Sequence, residues 1–337
     1  MKNFYDLKIA NIRSLTNKAV EIMFDVPESL QEKFQFQAGQ YITIRSEING
    51  EDVRRSYSLC SSPESGDIAV GVKRIREGKM STFLTRELKI GDTIQVMPPN
   101  GNFLLQGQNV VGICAGSGIT PIFSMIKSQS DGFTLVYGNQ SQESAMFLDE
   151  IISIGVESYF VYSREDTEDC YSGRINNNIL LDISKHSNLL NADHYFICGP
   201  GEMIVDVESF LLSQGVNQDQ IHFEKFTSVI QEDITLTNQQ DEDLQSNVTV
   251  IIDGDEFEYN LSQTGETILD SAMREGADVP FSCKGAVCCT CKAKVIKGEV
   301  KMDQNFSLSD DEVEEGYILA CQAHPITDEV IVDFDEM

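Results

Sequence analysis

No apolar run of the roughly 18 residues needed to cross a bilayer occurs in this chain of 337 residues, so membrane insertion is not expected. The stretch from Met1 to Ser14 alternates apolar and polar side chains and lacks the uninterrupted hydrophobic segment of a secretory signal. Basic residues are also few, 25 against 54 acidic ones, for a net charge of −29, and such a chain would repel nucleic acid. The nine cysteines are scattered without the paired look of a secreted disulfide framework, which makes a reducing cytoplasm the expected location. No internal repeat is present, and the G-x-G-x-x-G dinucleotide fingerprint is missing.

What is present divides into segments. The length suits two or three domains of about 100 residues each. Residues 1–105 hold 14 basic and 13 acidic side chains, residues 106–228 hold 5 and 16, and residues 229–337 hold 6 and 25. The acidity of the last segment could steer it toward a basic protein surface or serve solubility alone. The first segment shows short alternating runs such as Tyr41-Ile42-Thr43-Ile44-Arg45, punctuated by Asn49-Gly50 and Gly91-Asp92, and predicts an antiparallel barrel. From Asn109 buried apolar strands, 110–114, 133–137, 159–162 and 195–198, alternate with helical stretches at 122–127 and 202–212, which predicts a parallel sheet wrapped by helices. A polar, acidic linker follows, and then a third domain opens with a hairpin around Asp253-Gly254 and a helix over 266–274.

In that third domain Cys283, Cys288, Cys291 and Cys321 are separated by four, two and twenty-nine residues, the plant-type spacing of a [2Fe-2S] cluster. A four-cysteine zinc site is the alternative, but zinc sites usually use two short Cys pairs, whereas here three thiols share one loop and a fourth arrives alone. The small residues between Cys283 and Cys288 allow backbone amides to turn toward the cluster sulfurs. Cys289 lies off the spacing and reads as a packed free thiol, and Lys284 as a solvated flank.

Two glycine loops stand where a strand runs into a helix. In Gly112-Ile113-Cys114-Ala115-Gly116-Ser117-Gly118-Ile119-Thr120-Pro121, glycines let amides approach a pyrophosphate, while Thr120 is suited to N-cap the helix and Pro121 to its first turn. The second loop, Cys198-Gly199-Pro200-Gly201, would open on the same edge of the sheet, where Cys198 is either a buried thiol or a contact to a planar ring. In the barrel segment, Arg55, Tyr57 and Leu59 share one strand face and Ser56 and Ser58 the other, so an aromatic ring and a guanidinium stand together, as barrel surface or as the grip on a flat phosphorylated ligand. Gly78-Lys79-Met80-Ser81-Thr82 precedes a short helix and offers hydroxyls and amides to a further phosphate, or is a plain capped helix.

Taken in this order, the motifs resemble the ferredoxin-NADP reductase superfamily fused to a C-terminal plant-type ferredoxin, and most of all its oxygenase reductase components; the resemblance covers nearly the whole chain. It implies an FAD-binding antiparallel β-barrel over 1–105, an NAD(P)-binding α/β parallel-sheet domain over 106–228, an acidic linker over 229–246 and an α+β β-grasp [2Fe-2S] domain over 247–337. By the same resemblance Arg55, Tyr57 and Ser58 hold flavin, and Gly78, Met80, Ser81 and Thr82 its pyrophosphate. Gly116, Ser117, Gly118, Thr120 and Pro121 bind nicotinamide nucleotide together with Cys198, Gly199 and Pro200. Ser163 and Arg164 face an adenosine 2′-phosphate, favouring NADPH while leaving NADH open because Asn139-Gln140-Ser141 brings no second arginine. Hydride transfer is placed near Tyr57, Cys198 and Phe226, with no general acid or base nominated; Phe226 could also be core. Of the two flavins such reductases use, the stretch from Arg55 to Ser81 is more similar to the FAD users than to the FMN users. The implied activity passes electrons from NADPH through FAD and [2Fe-2S] to an oxygenase component, of phenylacetyl-CoA or other aromatic or steroid degradation. Rival readings are a reductase for a fatty-acid desaturase or other lipid oxidation system, and a redox-sensing ferredoxin module with a vestigial flavin domain.

Overall fold

The alternation of the first hundred residues resolves into six antiparallel strands. In the computed structural model, which describes residues 4–167, 169–226 and 244–336, these are β1 (Tyr5–Thr16), β2 (Ala19–Asp25), β3 (Tyr41–Ile48), β4 (Glu51–Ser58), β5 (Ile68–Lys73) and, after helix α1 (Lys79–Arg86), β6 (Thr93–Val96). They pair in the order β4-β3-β6-β1-β2-β5. Just beyond β4, Leu59 bridges to Val70 of β5, so the two outer strands meet and the sheet closes into a barrel. Leu7, Ile22, Ile42, Ile44, Val70 and Val96 fill it. Asn49 and Gly50 both take positive φ, 55° and 80°, as the two-residue turn between β3 and β4 requires.

The apolar segments that follow form β7 (Val110–Ala115), β8 (Phe133–Asn139), β9 (Glu157–Tyr162), β10 (Tyr171–Ser172), β11 (His194–Gly199) and β12 (Ile221–Lys225). All pair in parallel, in the order β10-β9-β8-β7-β11-β12. Helices α2 (Ile119–Ser128) and α3 (Leu148–Ile154) pack into one core, and α4 (Asn177–Ser184) and α5 (Gly201–Ser213) into the other. Covering both faces explains why β8 is buried at every position. The order reverses at β7, and the crevice beyond the carboxyl ends of β7 and β11 is where such sheets take ligands. Barrel and sheet form one compact unit, Phe4–Phe226. Along its seam the Ser124 hydroxyl donates to the Ser61 carbonyl at 2.7 Å and Lys127 Nζ to the Cys60 carbonyl at 3.0 Å.

Residues 244–336 belong to a second compact unit. Its elements are β13 (Gln245–Ile252), β14 (Asp255–Ser262), α6 (Ile268–Arg274), β15 (Lys292–Lys297), β16 (Val300–Met302), α7 (Asp310–Glu314), β17 (Tyr317–Leu319), β18 (Ala323–Pro325) and β19 (Glu329–Asp333). A mixed five-stranded sheet of order β14-β13-β19-β15-β17 buries Val248, Val250, Val330 and Val332 against Ile268 and Leu269 of α6, the β-grasp arrangement expected. Asp253 and Gly254 turn the hairpin with φ of 54° and 78°. Helix α6 starts two residues later than its sequence pattern indicates, because the Thr267 hydroxyl caps it by accepting from the Asp270 amide. The acidic linker expected over 229–246 lies outside the described residues as far as 243, and Gln245 and Ser246 already belong to β13. Among the described residues no helix is long and apolar enough to cross a membrane.

Two glycines with positive φ separate strain from crowding. A Cβ at Gly39 (φ +104°) would stand 1.8 Å from the Phe103 carbonyl oxygen, whereas one at Gly254 (φ +78°) meets nothing within 4 Å. Gly254→Ala is expected to cost about 1 kcal/mol in backbone strain alone. Gly39→Ala is expected to cost about 1–3 kcal/mol more, because a backbone carbonyl must move. Thermal unfolding of the two variants checks the order.

Candidate functional site

Strand β7 ends in a tight turn over Gly116–Gly118 that leads directly into α2. Gly116 has φ of +58°. Because this turn starts the helix early, the N-cap falls on Gly118 and not on Thr120, as the sequence reading expects. Thr120 instead donates its hydroxyl to the Ser117 carbonyl at 3.0 Å, and its side chain and that of Pro121 are buried. Of the predicted loop residues, Ala115, Gly116 and Ser117 are the half-exposed ones. Gly118 touches the second loop: a Cβ there would lie 2.1 Å from the Cys198 carbonyl oxygen and 3.2 Å from its Sγ. Gly199 likewise lies against the Ala115 amide, and Pro200 opens α5 with no side-chain cap. Cys198 is fully buried, and burial pushes its thiol well up, so it stays protonated.

The register of β11 with β12 sets Glu224 beside Cys198. Glu224 Oε2 accepts the Ser58 hydroxyl at 3.0 Å across the seam between barrel and sheet. Burial pushes the Glu224 carboxyl up to about 8. Phe226, just past β12, is 42% exposed and therefore not core. In β4, Arg55 is exposed and Tyr57 half-buried, and Leu59 just after it lies inside the barrel core. The fold thus gathers Ser58, Cys198 and Gly118, and it adds Glu224, which sequence reasoning missed.

Lys73 was missed as well. Its Nζ would lie 3.3 Å from a Cβ at Gly116. With Lys18 and Arg74 it lines a cavity of about 320 Å³ faced by Gln140, Ser141 and Ser144. Ser163 and Arg164 are exposed, and their amides are tied to the carbonyls of Asn139 and Gln140 at 2.9 and 2.8 Å, which brings them to the same strand end. Asn139 is buried there, and neither Nδ2 nor Oδ1 makes a well-formed hydrogen bond, although the Tyr137 hydroxyl is near. Three cations in this cavity, with the Lys73 ammonium over the glycine turn, fit a phosphorylated ligand.

The third phosphate-type loop is formed at Gly78, which precedes α1 with no side-chain cap, so the first-turn amides are open. The Ser81 hydroxyl accepts from the Ile75 amide at 3.3 Å, and a Cβ on Gly78 would collide with that oxygen at 2.4 Å. Met80 points into the barrel core, leaving only its amide for a ligand, while Thr82 is half-buried.

In the C-terminal unit Lys284 and Ala286 adopt φ of 52° and 60°, which turns the loop amides inward. Gly285 donates to Cys283 Sγ at 3.3 Å, and the Ala286 amide to Cys321. Cys288 and Cys283 sulfurs lie 3.1 Å apart, and Cys291 pairs with Cys321 in the same way. Hydrogen bonding from Cys288, followed by loop amides, pulls the Cys283 thiol down toward the thiolate. Among the described residues no three or more His, Cys, Asp or Glu side chains converge on a single ion. Four thiols in two pairs suit two irons and do not suit one zinc. Cys289 is buried with Sγ 3.1 Å from the Ser307 carbonyl oxygen, and Lys284 is an exposed flank paired with Asp270 over the Phe281 ring.

Residues 6–104 match the oxidoreductase FAD-binding domain, 113–209 the oxidoreductase NAD-binding domain and 250–325 the 2Fe-2S iron-sulfur cluster binding domain. Over 99% of its length the chain is 38% identical to a component of the 1,2-phenylacetyl-CoA epoxidase of Escherichia coli (strain K12), covering 99% of that protein. The chain belongs to the ferredoxin-NADP reductase superfamily. It shares 32% identity with the ferredoxin reductase component of 3-ketosteroid-9-alpha-monooxygenase from Rhodococcus rhodochrous, over 97% of this chain and 96% of that one. Phthalate dioxygenase reductase has the same fold, with a TM-score of 0.61 at 24% identity over 98% of each chain. The chain is therefore an NAD(P)H oxidoreductase of the oxygenase reductase kind, with FAD, NAD(P)H and [2Fe-2S] as its cofactors.

Glu224 gives this reductase a pH signature. Its folded pKa is raised from 4.5 to about 8, so wild-type stability from this group is complete below 4.5 and is lost as pH rises through about 8. Glu224→Gln removes that loss: its unfolding midpoint is expected to gain on wild type steadily between pH 4.5 and 8 and to hold a constant lead above. Flavin fluorescence, which reports release from this unit, measures it.

Proposed function

We propose that this reductase takes reducing equivalents from NADPH and delivers single electrons to the oxygenase component of a phenylacetyl-CoA or related aromatic degradation system. The likeness over 99% of both chains to the phenylacetyl-CoA epoxidase component carries this reading. Bound flavin supplies the conversion of a two-electron hydride donor into a one-electron source for the cluster. The chain's residues position and shield. Arg55, Tyr57 and Ser58 hold the flavin, and the turn from Gly78 to Thr82, through the first-turn amides of Lys79, Met80 and Ser81 and the Thr82 hydroxyl, holds its pyrophosphate. Gly116, Ser117 and Lys73 take the nucleotide phosphates, while Gly118 and Cys198 to Pro200 shape the slot for the nicotinamide. Phe226 stands exposed where it can cover a planar ring. The Glu224 carboxyl keeps its proton at neutral pH and accepts from Ser58, so the hydride pocket carries no fixed negative charge.

Arg164, exposed and without an ion pair among the described residues, is the group for a 2′-phosphate. The cluster is assigned to Cys283 and Cys288 on one iron and Cys291 and Cys321 on the other. Nine cysteines, none of them in a disulfide among the described residues, support a reducing, cytoplasmic setting. The domain divisions at 105/106 and 228/229 remain part of this proposal.

Arg164→Ala is expected to raise KM for NADPH at least about tenfold while leaving that for NADH unchanged, since one charge-assisted contact is lost; equal effects on both nucleotides would remove the 2′-phosphate assignment. Cys288→Ser should abolish cytochrome c reduction and spare ferricyanide reduction at the flavin. Loss of both activities in protein that retains flavin would reject the order of transfer.

A further inference from the structure

At the amino-terminal ends of β11 and β12, away from the crevice, three donor side chains meet. The parallel register sets Phe196 opposite His222. His194, two residues earlier on β11, therefore shares that face of the sheet. The two imidazole rings lie with centroids 5.1 Å apart, and His194 Nδ1 is 3.0 Å from His222 Nε2. From the segment that joins barrel to sheet, the terminal amide of Gln106 comes within 2.9 Å of the same Nε2.

The surroundings fix these groups. The His222 ring stacks on Phe196 at 5.0 Å and 25°, and Phe196 is held edge-on by Phe103. Asp193 accepts from the amides of Gln108 and Asn109 at 2.9 and 2.8 Å, which pins the joining segment beside His194. Burial, and then His194, lower the affinity of His222 for a proton, which favours the neutral ring that can offer a lone pair.

The spacing is informative. With metal–nitrogen bonds of about 2.0–2.1 Å, two nitrogens 3.0 Å apart subtend roughly 91–97° at a shared ion. That is the angle between neighbouring ligands in tetragonal or octahedral coordination; a tetrahedral ion would need a wider separation. We propose that His194, His222 and Gln106 form a binding site for a divalent transition-metal ion of tetragonal or octahedral preference, of the Ni²⁺ and Cu²⁺ class, distinct from the iron–sulfur centre. Half a turn of the Gln106 amide exchanges its nitrogen for its oxygen and presents the carbonyl as third ligand. A bound ion clips the joining segment to the last two strands of the sheet.

Ni²⁺ titrated calorimetrically into tag-free, oxidised holoprotein tests this, with iron and flavin content measured before and after. One Ni²⁺ per chain is expected beyond any bound by the His194→Gln/His222→Gln double variant, with binding weakening in acid as protons compete for the ligand nitrogens. Gln106→Glu, which places a carboxylate at the third position on an exposed segment, is expected to tighten binding at least about tenfold, a gain that misfolding cannot imitate. Equal Ni²⁺ binding by wild type and double variant, or no gain from Gln106→Glu, overturns the proposal.

Discussion

The reductase unit depends on one close approach, in which the backbone of Gly118 lies so near the Cys198 carbonyl that no side-chain carbon fits between them. That contact brings the start of α2 against the end of β11, and both phosphate-type loops onto one rim. It also fixes where β12 must run, because β12 pairs with β11. Glu224 thereby reaches Ser58 of the barrel. A larger residue at position 118 would separate these pieces at once, since backbone cannot yield as the end of a flexible side chain can. The same device recurs at Gly71, where a Cβ would lie 2.6 Å from Thr120, so barrel and α2 meet over another missing side chain.

Much of this is legible in the sequence. The switch from two-residue alternation to continuous apolar runs separates barrel from parallel sheet because the first has one face toward solvent and the second none. The spacing of the cysteines points to a cluster, and the fold adds the reason to set zinc aside, the division of the thiols into two pairs. What stays hidden is tertiary. Ser58 and Glu224 are 166 residues apart, and although Phe226 two residues on points to this stretch, only strand register places Glu224 beside Cys198. Lys73 reads as the end of an ordinary strand until the fold sets its ammonium over Gly116. Thr120 misleads because threonine before proline is a sound N-cap signal, and the preceding tight turn that moves the cap to Gly118 is decided by glycine backbone freedom. His194 and His222, each unremarkable alone, meet by the same logic of parallel register.

The two units solve the burial of reactive groups differently. In the reductase unit the thiols of Cys60 and Cys114 are buried, protonated fillers of the core, and that of Cys198 is buried and protonated against the nucleotide loop. In the C-terminal unit the core and the metal loop are the same object: Ala286, Cys289, Cys291 and Cys321 pack with Val248, Ile268 and Val332. A buried thiolate without its iron is costly to hold, so for this unit acquiring metal and acquiring a fold are coupled events.

That coupling reaches beyond chemistry to protein supply. A cell short of iron would make chains whose C-terminal unit opens often and is cleared by proteases. Scarcity would then lower the number of reductase molecules instead of leaving a pool of flavin-loaded chains that oxidise nicotinamide nucleotide with nowhere to send the electrons except oxygen. With the cluster loop part of the core, the protein's lifetime would then follow the supply of the metal it needs.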